Sequence, residues 1–293
     1  MAQVTVIIPT FNRAAYLRLA LDSVFSQTWT DFEVLVVDDG STDDTAAMLR
    51  AYPHPVRYIS QKNQGDAAAR NRGLAETHTP LVAFLDSDDL WLPTKLERQM
   101  ALLAGRGERT VIYGPQLAID AEGRMVGREV RPTPTGRITT ELFEHSFIAP
   151  TSVLGPTELM RQVGFDPRYR VFSDIRTFLI LSLTCDFLAG PEPLVLHRRH
   201  SANLSARSFE NQRIKATVLE EFYFQLGGRE AIPRRRAMRR LSQEWRKASD
   251  AARRTGDRAS AVELARKALG YQLTPRALWA WLAAQMWNPA TIL

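Results

Sequence analysis

Three groups of polar residues in the N-terminal third of the chain carry side chains that could bind a charged ligand or move a proton. Each group follows a short, continuous apolar run, at residues 4–8, 33–37 and 81–85. The groups read Pro9-Thr10-Phe11-Asn12-Arg13, Asp38-Asp39-Gly40-Ser41 and Asp86-Ser87-Asp88-Asp89. In an open parallel sheet, ligands bind beyond the carboxyl ends of the strands. We therefore expect the three groups to lie together at one edge of a sheet.

The third group indicates a metal site. Its three carboxylates repel one another unless solvent or a cation intervenes. Mg²⁺ and Mn²⁺ prefer oxygen ligands and often bind through one or two carboxylates plus substrate phosphates. We predict a divalent cation on Asp88 and Asp86 that bridges to a diphosphate, with His200 as a further candidate ligand. The alternative is that the acidic residues open the helix that follows.

The second group has two interpretations. Ser41 could cap a helix, with acidic residues in its first turn. That interpretation does not account for Asp39, which precedes the cap. Asp39 is therefore a candidate ligand-binding residue.

The elements that would position these groups alternate between strand and helix over the first hundred residues. Apolar spacing typical of helices separates the runs, as expected of βαβ units and a parallel sheet. Residues 111–204 are less regular and predict short antiparallel strands and loops, helices at 157–163 and 175–183, and a strand at 194–198. A polar stretch at 201–208 precedes four predicted helices, at 214–226, 234–255, 258–269 and 275–287.

Composition narrows the classes of protein. Hydrophobic residues make up 45% and charged residues 24%, the chain has one cysteine, and the apolar runs are too short to span a bilayer. We expect a cytoplasmic protein, with peripheral contact at the inner face of a membrane as a further hypothesis. Neither a Gly-x-Gly-x-x-Gly motif after the first strand nor a Walker-type loop occurs, which disfavours dinucleotide-binding and P-loop proteins.

The net charge of +6 is unevenly distributed along the chain. Residues 209–293 contain 16 Lys/Arg and 8 Asp/Glu, and five arginines fall within residues 234–240. Trp279, Trp281 and Trp287 lie further along. These features fit a solvated helix face with a packed tail, or a surface that docks on a membrane or a partner. No recognised nucleic-acid-binding motif accompanies the charge, so we expect no nucleic-acid partner.

Over residues 3–204 the chain resembles family 2 glycosyltransferases of the GT-A fold. The resemblance rests on VTVIIPTFNR, VVDDGSTDDT, NQGDAAARNRGL and AFLDSDDLW, and later on VGFDPRYRVFSD and GPEPLVLHRRHSANLS. It implies a Rossmann-like α/β domain with a mostly parallel sheet, here followed by an all-helical C-terminal extension. It also implies a nucleotide-sugar donor, with UDP favoured, and inversion at the anomeric carbon. The acceptor would be a carbohydrate or a lipid-linked molecule.

The resemblance also implies roles for particular residues. Asp88 and Asp86 form the Asp-x-Asp motif, and Asp174 is the catalytic base. The expected nucleotide-sugar-binding residues are Pro9, Thr10, Phe11, Asn12, Arg13, Asp39, Asn63, Gly65, Arg70, Asp86 and Ser87.

One position departs from the family pattern, since Ser173-Asp174 stands where a Glu-Asp pair is usual. A catalytically silent nucleotide-binding scaffold and a nucleotidyltransferase are the alternative functions. The expected organisation is a nucleotide-sugar half (residues 1–105), an acceptor half (106–208) and a basic helical extension (209–293).

Overall fold

The computed structural model describes residues 2–129, 133–199 and 208–286. By its internal contacts the chain separates into two compact units. The first, which we call the α/β unit, comprises Met1–Ile138 and Phe147–Ser201. The second, the helical unit, comprises Thr139–Ser146 and Ala202–Leu293. The expected division at residue 105 stays a prediction.

The N-terminal part of the α/β unit confirms the predicted alternation of strands and helices. Its elements are β1 (Val4–Thr10), α1 (Ala14–Phe25), β2 (Phe32–Asp38), α2 (Thr45–Arg50), β3 (Arg57–Ser60), α3 (Asp66–Glu76), β4 (Leu81–Phe84), β5 (Leu90–Trp91) and α4 (Lys95–Leu103). The seven residues of β1 are all buried, because a central parallel strand is covered on both faces.

The elements that follow are shorter. They are β6 (Thr110–Tyr113), β7 (Gln116–Ile119), β8 (Met125–Glu129), α5 (Thr139–His145) of the helical unit, a 3-10 turn (Pro150–Ser152), β9 (Leu154–Pro156), α6 (Thr157–Val163), α7 (Ser173–Ser182), β10 (Asp186–Ala189) and β11 (Val195–Arg198). The predicted helices at 157–163 and 175–183 and the strand at 194–198 are confirmed within two residues at each end.

The main sheet has seven strands in the order β10-β6-β9-β4-β1-β2-β3. All neighbours are parallel except β9, which runs antiparallel to both β4 and β6. A smaller sheet has the order β5-β11-β7-β8. The expectation of short antiparallel strands after residue 111 is confirmed for β9 and for β7 with β8, but it does not hold for β6 and β10. The strands β6 and β10 pair in parallel and extend the main sheet, since the chain between them is long enough to cross over.

The sheet register brings the three polar groups to one edge. Thr10 lies opposite Asp38, and the amide of Leu85 donates to the carbonyl of Ile7. The loops that leave β1, β2 and β4 therefore start side by side. On one face of the sheet, α3 packs closely because residue 73 is glycine: a Cβ there would lie 2.6 Å from Cγ2 of Ile7.

The helical unit contains α5 together with five C-terminal helices. These are α8 (Phe209–Gln225), α9 (Gly228–Ala231), α10 (Arg234–Arg254), α11 (Arg258–Tyr271) and α12 (Pro275–Met286). The rings of Phe143 on α5 and Phe222 on α8 lie 6.2 Å apart. The sequence did not predict that residues 139–146 join these helices. Among the residues described, no helix is long and apolar enough to cross a membrane.

We expect Gly73→Ala to destabilise the α/β unit by about 1–3 kcal/mol, because the new methyl group overpacks the buried Ile7. Thermal unfolding of the full-length chain measures this change. Gly270→Ala is the matched control. Gly270 also lies in a helix, but a Cβ at this position would have no neighbour within 4 Å. Removing this helical glycine should raise stability by about 0.5–1 kcal/mol. Equal effects of the two substitutions would contradict the close packing of α3.

Candidate active site

Hydrogen bonds join the loop after β1 to the loop after β2. Asn12 adopts a left-handed backbone conformation with φ 52°. Its amide donates to Oγ of Ser41 at 2.8 Å, and its side-chain oxygen accepts from the amide of Thr42 at 2.7 Å. Ser41 therefore does not cap α2, and that interpretation is wrong. The N-cap of α2 is Asp44, and the amide of Thr45 donates to Asp43.

Asp39 holds the segment between β3 and α3. Its buried carboxylate accepts from Nε2 of Gln61 at 2.8 Å, the amide of Gln64 at 2.9 Å and the amide of Gly65 at 2.6 Å. Position 40 favours glycine for two reasons. Its φ is +84°, and a Cβ would lie 3.1 Å from the amide nitrogen of Asn63. The segments after β1, after β2 and before α3 therefore adjoin one another. They contain the predicted site residues Pro9, Thr10, Phe11, Asp39, Asn63 and Gly65.

Each carboxylate of the acidic group has a partner side chain within the protein. Asp86 Oδ1 lies 2.5 Å from Nη2 of Arg70, and Asp88 forms an ion pair with Arg13. Asp89 lies 3.3 Å from Nδ1 of His197. The acidic residues do not open α4, because β5 intervenes and α4 begins at Lys95. The helix-entry interpretation of this group is therefore wrong.

Arg70 is the centre of the site. Its guanidinium is buried, forms ion pairs with Asp66 and Asp86, and lies 5.3 Å from the ring centroid of Phe165. Burial raises the pKa of Asp66 to about 6, an effect that Arg70 opposes and Asp86 reinforces. The side chain that holds two carboxylates is thus itself fixed by packing on an aromatic ring.

Asp174 belongs to the same electrostatic cluster. It lies in the first turn of α7, and burial raises the pKa of its carboxyl group, while the charge of Arg70 lowers that pKa and the charge of Asp86 raises it. The structure therefore brings together Arg70, Asp86 and Asp174, which are far apart in sequence. Ser87, between the two aspartates of the motif, is buried.

The segment before α7 is clamped to α3. The side chain of Asn71 donates to the carbonyl of Phe165 at 2.6 Å and accepts from its amide at 2.8 Å. Thr177 Oγ1 donates to the carbonyl of Gly164 at 2.6 Å, and Phe172 turns the chain into α7 through a left-handed conformation. The helix that carries Arg70 therefore also places Asp174.

The comparisons with known proteins agree with this arrangement. The sequence model for "Glycosyl transferase family 2" matches residues 5–164. The chain belongs to this family.

Relatives support the assignment. An "Uncharacterized glycosyltransferase" of Rickettsia bellii is 31% identical over 185 residues, which is 62% of this chain and 26% of that protein. "Glycosyltransferase GlyA" of Streptococcus pneumoniae is 43% identical over 93 residues, which is 31% of this chain and 13% of that protein. The family 2 chain thus spans only part of the length of these relatives.

Solved structures share the fold at low sequence identity. S. aureus TarS 1–349 in complex with UDP-GlcNAc has a TM-score of 0.62 at 18% identity, covering 97% of this chain and 87% of that one. The mannosyltransferase PcManGT from Pyrobaculum calidifontis, in complex with GDP-Man and Mn²⁺, has a TM-score of 0.60 at 20% identity, covering 97% and 86%. Both show that the family 2 chain has the GT-A type of fold.

Sequence reasoning missed Asp66 as a residue that builds the site, and it considered Arg198 only as a candidate partner for phosphate. Asp66 precedes Arg70 by four residues in α3, a spacing typical of a helical ion pair that could have identified it. Arg198 is buried and donates to the carbonyl oxygens of Asp88, Asp120 and Ala121. It thereby holds the turn between β7 and β8 against the acidic group. No local signal predicts these contacts.

The donor set at the acidic group fits a hard divalent cation that completes its coordination on a ligand. Within residues 2–129, 133–199 and 208–286, no group of three His, Cys, Asp or Glu side chains could hold a metal ion. Asp86 and Asp88 supply carboxylate oxygens at the sheet edge, and such cations often use one or two carboxylates plus phosphates. His200, the further candidate ligand, lies outside the described residues.

We expect Arg70→Met to destabilise the protein by about 3–5 kcal/mol near neutral pH, because two carboxylates lose their buried cation. The loss should be smaller at pH 5 than at pH 8. Without the cation, the pKa of Asp66 in the folded protein rises further above its value in the unfolded chain. At low pH Asp66 is protonated in both states and costs the folded state little, but as pH rises the unfolded chain ionises first and the folded variant loses stability. Thermal unfolding at both pH values tests this.

Arg72→Met is the matched control in the same helix. Arg72 is exposed and pairs with Glu76 at 2.9 Å, so its loss should change stability by no more than about 0.5 kcal/mol at either pH. If Arg70→Met and Arg72→Met behave alike, Arg70 is not the structural centre of the site.

Proposed function

We propose that this family 2 chain transfers a sugar from a nucleoside-diphosphate sugar to an acceptor hydroxyl, with inversion at the anomeric carbon. The observation that carries the proposal is that Arg70 forms an ion pair with Asp86 at the carboxyl edge of the sheet, while the charges of Arg70 and Asp86 both act on Asp174 in the first turn of α7. Transfer with inversion needs one acidic position beside the leaving diphosphate and another beside the acceptor. Asp86 and Asp174 are proposed for these two positions.

A nucleotide-sugar donor has independent support from the structural neighbours. TarS structures are in complex with UDP and with UDP-GlcNAc, and PcManGT is in complex with GDP-Man and Mn²⁺. UDP is the favoured nucleotide for this chain. The proposed nucleotide-binding residues lie on the loops that Asn12 and Asp39 join, and Phe11 is exposed there for stacking on a base.

Arg13 and Asp88 are proposed to bind the diphosphate end of the donor. The guanidinium of Arg13 matches phosphate geometry, and it forms an ion pair with Asp88. A divalent cation held by Asp88 and Asp86 would supply Lewis-acid stabilisation of the charge that develops on the leaving diphosphate. Arg70 keeps Asp86 in place while Asp88 exchanges its partner.

Asp174 is proposed to accept the proton of the acceptor hydroxyl. The acceptor oxygen forms a bond to the anomeric carbon as the bond to the diphosphate breaks, and the proton moves to the carboxylate. The raised pKa makes Asp174 a stronger base than an exposed aspartate, since a group protonated more readily accepts the proton more readily. Arg70 favours the ionised form that the reaction needs.

The acceptor is proposed to be a carbohydrate or a lipid-linked molecule, as in polysaccharide or glycoconjugate synthesis. The second half of the α/β unit, with α7 at its centre, is the proposed acceptor side.

We expect Mn²⁺ to strengthen UDP binding, and Asp88→Asn to abolish that effect, because the amide supplies a weaker ligand for a hard cation. The loss in affinity in the presence of Mn²⁺ should be at least about tenfold. Calorimetry with UDP, and in parallel with GDP, measures the affinity of each variant with and without Mn²⁺. Asp31→Asn, an exposed change just before β2 at the opposite end of the strand, should bind as the unmodified protein does. An unchanged Mn²⁺ effect in Asp88→Asn would refute the metal assignment.

Asp174→Asn should lower turnover by about 10²–10⁴-fold and leave UDP affinity unchanged, because the amide keeps the shape but cannot accept the proton. Turnover is measured as release of nucleoside diphosphate from a panel of nucleotide sugars and acceptors. Asp186→Asn, an exposed aspartate on β10, is the control and should keep full turnover. Normal turnover in Asp174→Asn would place the base elsewhere, and absence of any transfer in the unmodified chain would favour the silent scaffold.

A further inference from the structure

Four large apolar side chains of α12 are exposed, and three of its alanines are buried, while Trp281 is half-buried. Ala277, Ala280 and Ala284 are at most 4% exposed and face the other helices of the helical unit. Leu278, Trp279, Leu282 and Met286 are 43%, 62%, 39% and 75% exposed. We call these four residues the α12 apolar face. A helix that only completes a core has the opposite distribution.

The α12 apolar face is continuous. At about 100° per residue, its four members fall within an arc of roughly 100°, with Pro275 in the middle of that arc. No charged side chain of α12 lies in the arc, because the one charged residue of the helix, Arg276, falls on another side. Single exposed apolar residues are ordinary in proteins, but a contiguous exposed apolar patch marks an interaction site.

Arginines border the face. The guanidinium of Arg253, in the last turn of α10, lies 6.0 Å from the ring centroid of Trp279. Arg258, at the start of α11, donates to the carbonyl of Gln285 on α12. Glu263 is the last acidic residue of the sequence, so α12 and the segment around it contain no carboxylate side chain. The surface therefore combines an apolar centre with a cationic rim.

The basic run that the sequence singled out contributes less to this surface. Arg239 and Arg236 pair with Glu144 at 2.8 and 3.6 Å, and Arg240 pairs with Glu244 at 3.1 Å. These residues lie at the other end of α10, about 20–26 Å along the helix from Arg253 at 1.5 Å per residue.

We propose that the α12 apolar face docks on the surface of an anionic lipid bilayer. Leu278, Trp279, Leu282 and Met286 insert into the interfacial region, and Arg253 and Arg258 bind the lipid phosphates. The chemistry matches, since interfacial helices combine Trp and Leu with a basic border and bury the apolar face about 5–10 Å deep. With 12 residues, α12 is about 18 Å long and lies on the surface rather than across the bilayer.

A second copy of the chain fits the face less well. Two-fold pairing through α12 would bring Arg253 and Arg258 of both copies to the same border, with no carboxylate from α12 to balance them. An anionic lipid surface supplies that balancing charge, and each arginine near it contributes about fivefold in affinity.

The test is vesicle co-sedimentation with the full-length chain and point variants. Deleting the C-terminal region is a poor test, because α5 would lose Phe222 and Tyr223, which pack on Phe143. We expect binding to vesicles of phosphatidylglycerol and phosphatidylcholine that weakens with added salt, and much weaker binding to phosphatidylcholine alone. Trp279→Ser with Leu282→Ser should reduce the binding constant at least about tenfold. Arg253→Ala should reduce it about fivefold.

Two matched controls define the surface. Leu19→Ser removes a similarly exposed leucine from α1, and Arg235→Ala removes an exposed arginine from the first turn of α10. Both should bind vesicles as the unmodified chain does, and all variants should keep their helical circular dichroism and their affinity for UDP. Donor binding is independent of α12, so its failure would count against the proposed function and not against this surface.

Three results would overturn the proposal. They are no binding of the unmodified chain to anionic vesicles, equal binding of the Trp279→Ser/Leu282→Ser variant, and binding that is the same for anionic and neutral vesicles. Light scattering on the same protein variants without vesicles tests whether a second copy of the chain occupies the face instead. Dimers that form without lipid and disappear in the serine variant would assign the face to a second copy.

Discussion

The buried guanidinium of Arg70 is the interaction on which the rest of the site depends. It joins Asp66 of its own helix to Asp86 at the end of β4, and it packs on the ring of Phe165 ahead of α7. A buried cation without carboxylates, or buried carboxylates without the cation, would cost several kcal/mol. The strand end, α3 and the segment leading to α7 are therefore fixed together.

The same logic extends to the other carboxylates of the sheet edge. Asp88 forms an ion pair with Arg13, and Asp89 lies beside His197 and accepts a hydrogen bond from the backbone amide of Arg198. A ligand that carries phosphate and a divalent cation offers each partner of the Arg13–Asp88 pair a new partner of opposite charge. Under the proposed function, donor binding exchanges the partners of this pair without leaving an uncompensated charge.

The helical unit follows a different principle. Its interior contains small residues and Trp245 where α8, α10 and α11 meet. Ala284 of α12 packs with Ala252 and Ala261 in this interior. Leu278, Trp279, Leu282 and Met286 are exposed on the same helix, a division that the composition of the helix does not reveal.

The sequence by itself determined the alternation of strands and helices, the sheet edge that receives the polar groups, and the family. These depend on hydrophobic periodicity and on motifs within single elements, which are local properties. Tertiary structure alone decided that Arg70 pairs with Asp86, that Asp89 bonds with His197, and that residues 139–146 join the C-terminal helices. Such contacts join residues separated by 16 to 109 positions. Periodicity fixes which face of an element is buried, but the partner of a buried charge is fixed only when the elements pack.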